Sequence, residues 1–138
     1  MGVMTRGYRN NNPGNIRKVG NDNWNGLAPA GQQIDSEFLV FSEPRYGVRA
    51  ISILVRNYQS IYGLKSVKEI INRYAPPSEN ITTAYVLHVA ALMGVTPDEP
   101  INTFDLNTRA KLVDAIIVHE NGYSMYSTDQ IREWTALI

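Results

Sequence analysis

Leu112-Val113-Asp114-Ala115-Ile116-Ile117-Val118-His119-Glu120-Asn121-Gly122 is the stretch that decides the fold. Its apolar residues recur at helical spacing and then meet an Asn-Gly pair suited to a left-handed helix end. Counting about 100° per residue from Leu112, Ile116 falls at about 40°, Val113 at about 100°, Ile117 at about 140° and Glu120 at about 80°. A carboxylate therefore occupies the core-facing side, where a Leu is expected. It also lies in the last turn, beside unsatisfied carbonyls and the negative end of the helix dipole. Burial and dipole both favour the neutral acid, the state that a general acid needs near neutral pH. The structural alternative is an ion pair, for which Arg109, near the same stripe, is one of nine arginines available.

Working outward, the segment before this helix reads as three more. Ser42 and Pro44 suit a helix start, and Val48, Ile51, Leu54, Val55, Tyr58, Ile61 and Tyr62 mark one face up to Gly63. Ser66 and Glu69 form a capping-box pattern for a helix that ends near Tyr74, before Pro76-Pro77. A third carries Ile81, Tyr85, Val89 and Leu92 to Gly94, and after the Glu120 helix a fifth begins near Ser127 with Ile131, Trp134 and Ile138 as its buried face. The opening is different. Arg9-Asn10-Asn11-Asn12-Pro13-Gly14-Asn15 is too rich in Asn, Pro and Gly for a helix or strand interior. Strands are expected at Ile16 to Val19, around Trp24 and from Ile34 to Phe41, joined by Asn/Gly turns as a small antiparallel sheet. The expected fold class is α+β, mainly helical, with about five helices and one small sheet near the N-terminus, as a single domain over residues 1–138.

Composition narrows the function. The 138 residues are 43% hydrophobic and 19% charged, ordinary for a domain with a real core. No apolar run approaches a membrane span and no Sec-type leader is expected. Zero cysteines exclude disulfides, thiol nucleophiles and thiolate zinc sites, and suit synthesis in a reducing cytoplasm. His88 and His119 are the only histidines, with no His-Glu-x-x-His pattern, so no metal or other cofactor is expected. His88 reads as a half-buried packing residue, and His119 as a residue that tunes Glu120 or caps the last carbonyls. Net charge is zero, but Arg6, Arg9, Arg17 and Lys18 stand without an acid in the first twenty residues. That basic end lacks a nucleic-acid motif, so no nucleic-acid partner is expected.

Taken as a set, Arg9 through Arg17, Trp24-Asn25-Gly26, Phe38 to Phe41 and Gly47-Val48-Arg49-Ala50 resemble a phage and prophage family of virion and lysis proteins. So do the tract from Ile71 to Asn80, Thr83, Tyr85, Val89 and the closing His119-Glu120-Asn121-Gly122. The resemblance spans residues 6 to about 123. A second resemblance is to lysozyme-like glycosidases and lytic transglycosylases, which place a catalytic Glu at a helix end, followed by a hairpin and more helices. Here the order is rotated, which implies a circularly permuted lysozyme-like fold. The same resemblance pairs the Glu with a facing Tyr, and implies that Tyr74 orients Glu120.

The function so implied is that of a phage endolysin. It would cleave the bond between N-acetylmuramic acid and N-acetylglucosamine in peptidoglycan, with Glu120 as acid/base. Lysozyme chemistry would need a second carboxylate, available as Asp22, Asp35 or Glu37. Transglycosylase chemistry would need none, because the muramic acid's own groups trap the cation. Asn12, Asn15, Trp24 and Glu79 are the candidate substrate-binding residues, since acetamido and hydroxyl groups want polar partners and sugar faces want rings. Each has a structural alternative: the Asn side chains could satisfy loop backbone, Trp24 could be core, Tyr74 could close a helix face, and Glu79 could pair Arg73 or Arg49. The expected setting is a monomer made in the bacterial cytoplasm and acting on the wall in the periplasm. The competing reading is a non-catalytic virion or peptidoglycan-binding module.

Overall fold

Capping chemistry sets the helix boundaries. The Ser66, Asp105 and Ser127 side chains accept the backbone N–H of Glu69, Thr108 and Gln130 respectively, and Gln130 completes a capping box on Ser127. Gly122 closes the Glu120 helix at φ 82°, donating its N–H to the Val118 carbonyl at 2.7 Å. The computed structural model describes residues 4–75 and 79–138, with the backbone alone at Glu79 and Asn80. Among the described residues the helices are α1 (Arg6–Arg9), α2 (Pro44–Tyr62), α3 (Val67–Tyr74), α4 (Glu79–Met93), α5 (Leu106–Asn121) and α6 (Thr128–Thr135). The expected Pro76-Pro77 stop lies outside the described residues, and no described helix is long and apolar enough to cross a membrane.

α5 is the central helix, packed by α1, α2, α4 and α6. Its Leu112, Val113, Ile116 and Ile117 are fully buried against Val48, Ile51 and Val55 of α2, Ile70 and Ile71 of α3, Val89 of α4 and Ile131 of α6. Each such side chain contributes about 1.5–3 kcal/mol through lost apolar exposure. Burial extends almost around α5, because Arg109, Ala110 and Ala115 are buried as well. On α4 the inward face is Tyr85, Val86, Val89 and Ala90, while Ile81 and Leu92, expected inside, are exposed. Ile61 and Tyr62 at the end of α2 are exposed too.

The α+β expectation is corrected: the fold is mainly helical, and the described residues contain no strand or sheet. Residues 16–42 are loops and turns with isolated bridges at Arg17 to Phe38 and Leu27 to Phe41, and one 3-10 turn at Ala30–Gln32. Side chains intercept the groups that a ladder would use. Gln33 bonds the Val40 N–H and carbonyl, Asp35 accepts the N–H of Glu37 and Phe38, and Asn12 donates to the Leu39 carbonyl. The chain also changes partner, since Ile16 and Lys18 bond residues 39 and 37 whereas Ala28 and Ser42 bond residues 40 and 26.

Asn12 holds this region to the opening loop. It is fully buried, donates to the carbonyls of Ile16 and Leu39 at 3.0 and 2.9 Å, and accepts the Ile16 N–H at 3.0 Å. Asn12→Ala would strand the Ile16 N–H and the Leu39 carbonyl, while the Ile16 carbonyl keeps the Leu39 N–H, and the expected loss is about 2 kcal/mol, read as a lower urea midpoint with an unchanged slope.

Candidate active site

The contacts of its neighbour Asn121 locate Glu120. Asn121 donates to the carbonyls of Pro13 and Ile117, both at 2.8 Å, and accepts the Thr5 hydroxyl at 2.5 Å. The Asn-rich loop is thereby fixed to the end of α5. Asn15, in left-handed backbone at φ 49° that Asn tolerates well, then donates Nδ2 to Glu120 Oε1 at 2.8 Å. The two residues are 105 positions apart in sequence.

Glu120 is half-buried and forms no ion pair among the described residues. Burial raises its pKa above the ordinary glutamate value, while the hydrogen bond from Asn15, the nearby Tyr85 hydroxyl and the more distant Arg17 charge oppose the rise. Arg109 is not its partner. That buried guanidinium donates instead to the Ser52 hydroxyl at 2.9 Å and the Thr103 carbonyl at 2.7 Å.

The carboxylate faces a cleft of about 760 Å³. Asn15, Tyr74 and Trp24 line it with Glu120, and so do Phe38, Tyr58, Leu54, Arg17 and Asp22. Glu120, Tyr74, Asn15 and Trp24 thus come together in one groove. Tyr74 donates its hydroxyl to the Gly14 carbonyl at 2.7 Å rather than to Glu120. Burial, reinforced by the Glu120 charge, holds that hydroxyl well above the usual tyrosine range, so it stays a neutral donor. Trp24 is half-buried, packing on Leu39, Phe41 and Ala50 while it lines the cleft. Asn12 lies beneath the loop with both ends of its amide engaged by backbone. The Glu79 side chain lies outside the described residues.

The three candidate second carboxylates separate. Asp35 takes a two-pronged pair from Arg6 at 2.6 Å and a bond from Asn10, and Arg6 holds its pKa far below the usual carboxylate range. Glu37 is paired with Arg17 and Arg6 at the surface. Asp22 alone of the three lines the cleft, and its Oδ2 accepts the N–H of Val19 and Gly20.

Tyr85 stands next to Glu120 and is the site residue that sequence reasoning left without a role there. It is 2% exposed. Its hydroxyl is near enough to favour the charged carboxylate, yet among the described residues it makes no hydrogen bond of ordinary geometry. The available signal was its position on the inward face of α4, where a phenol needs a polar neighbour. Behind it, His119 stacks on the Tyr85 ring with centroids 3.8 Å apart, and His88, exposed rather than half-buried, meets His119 Nδ1 to Nδ1 at 2.8 Å.

Fold and cleft together define a small helical protein organised around an acid-bearing, aromatic-walled groove. No family model matches the sequence. Protein P5 of Pseudoalteromonas phage PM2 is 37% identical over 134 residues, an overlap that takes in 94% of this chain and 81% of that protein. The chain belongs to that family of phage proteins.

Proposed function

We propose that this phage protein is a muralytic enzyme that cleaves the glycosidic bond between N-acetylmuramic acid and N-acetylglucosamine. The observation that carries the reading is Glu120: a carboxyl without an ion pair among the described residues, its pKa raised by burial, at the wall of a cleft large enough for sugar rings. In this reading Glu120 in its neutral form protonates the glycosidic oxygen as the bond to C1 breaks, and positive charge develops on the sugar ring. Asn15 aims the carboxyl, the neutral Tyr85 hydroxyl stands beside it, and the Tyr74 hydroxyl holds the loop through the Gly14 carbonyl. Trp24, Phe38 and Tyr58 offer ring faces to the sugars, and Arg17 offers charge to the carboxylates that peptidoglycan carries.

After proton donation Glu120 is a carboxylate and can act as base on the group that captures the cation. If water is that group and the cation needs a partner, Asp22 supplies it. If the muramic acid's own 6-hydroxyl is that group, no second carboxylate takes part. The protein would be made in the host cytoplasm and act as a monomer on the wall in the periplasm.

Mass spectrometry of purified Gram-negative sacculi after digestion tests this reading. Soluble muropeptides are expected. Anhydro ends would assign transglycosylase chemistry and leave Asp22→Asn active, whereas reducing ends would assign hydrolysis and make Asp22→Asn at least about 100-fold slower. Binding to sacculi with no fragments released would overturn the proposal in favour of a wall-binding module.

A further inference from the structure

The cleavage scheme uses neither histidine, yet the two imidazoles converge. His88 Nδ1 and His119 Nδ1 are 2.8 Å apart, with ring centroids at 5.1 Å and planes tilted by 58°. His88 is exposed on α4 and His119 is half-buried near the end of α5, so the point between them is reachable from solvent. With metal to nitrogen bonds of about 2.0 Å, a 2.8 Å separation subtends about 90° at an ion, the cis angle of square-planar or octahedral coordination. Two ligands on a tetrahedral ion with the same bonds would stand about 3.3 Å apart.

We propose that His88 and His119 bind a divalent transition-metal ion of tetragonal preference through their Nδ1 atoms, Cu(II) being held most tightly by the usual order of affinities. Among the described residues no group of three His, Cys, Asp or Glu side chains converges, so water fills the other positions and the ion exchanges with solvent. When both rings are neutral, the proton held between the Nδ1 atoms moves through solvent to the free Nε2 of its own ring. Both Nδ1 lone pairs are then free for the ion and no proton is lost.

The test titrates Cu(II) into the full chain and into His88→Ala at neutral pH, by calorimetry and by electron paramagnetic resonance. Wild type is expected to show one site with two nitrogen ligands, and His88→Ala, at an exposed position, to bind at least about 10-fold more weakly with an unchanged Tm. Equal binding by the two chains, or a spectrum without two coordinated nitrogens, would overturn the proposal.

Discussion

Glu120→Gln is expected to lower kcat/KM on peptidoglycan by about 10³-fold, the scale of a general acid's contribution. It should do so without harming the fold. The Gln carbonyl can still accept the Asn15 amide that now reaches Oε1 at 2.8 Å, and the side chain keeps its volume. Stability should move the other way from activity. Burial raises the folded-state pKa of Glu120, so its neutral form stabilises the protein below the unfolded glutamate range, and that contribution is lost as pH rises through the folded pKa. Glutamine does not titrate. The Tm of Glu120→Gln should therefore gain on wild type as pH climbs through that interval, as thermal scans across a pH series would reveal. A structural ion-pair role predicts the reverse, a loss of about 3–5 kcal/mol on breaking the pair.

Gly14→Ala should be the most damaging single change in the loop. An added Cβ would overlap the Tyr74 hydroxyl and come within 2.7 Å of Ile51 Cγ1 and 2.8 Å of its Cδ1. Ile51 is fully buried on α2, and the Gly14 carbonyl accepts the Tyr74 hydroxyl, so neither neighbour can give way freely. The expected cost is about 3 kcal/mol, or roughly 10 °C in Tm for a chain of this size. Activity should fall with it, because the same displacement carries Asn15 away from Glu120. Differential scanning calorimetry measures the first effect, and muropeptide release below the mutant's Tm measures the second.

The helices were legible because their signals are local. Ser66 and Ser127 cap where the sequence says they should, and Gly63, Gly94 and Gly122 adopt left-handed backbone at the ends of α2, α4 and α5. The segment from Ile16 to Phe41 misled for an equally physical reason. Its β-prone residues and Asn/Gly turns are real, but Gln33, Asp35 and Asn12 bond the backbone groups that would have extended a sheet, and no propensity scale records such side-chain competition. α4 misled because it is apolar nearly all round. With no polar face to orient it, Ile81 and Leu92 were placed inside and are exposed.

Within the site, Glu120 was legible as a charge at the end of an apolar helix, although α5 proved to be buried on most sides rather than along one stripe. The Asn15 contact was not legible. It depends on Asn121 tying Pro13 to α5, a tertiary contact across 108 residues. Tyr74 reached the expected groove, but its hydroxyl went to a backbone carbonyl, leaving Tyr85 as the phenol beside the acid.

In the proposed reaction a carboxyl with a raised pKa at position 120 does the acid/base chemistry of the cleft. Its most direct test is an NMR titration of the 13C-labelled Glu120 side chain, set against the pH dependence of kcat/KM for muropeptide release. Glu120 is expected to titrate above the ordinary glutamate range, with the alkaline limb of the rate profile following the same pKa. An ordinary Glu120 titration, or a rate profile that ignores it, would exclude Glu120 as the acid.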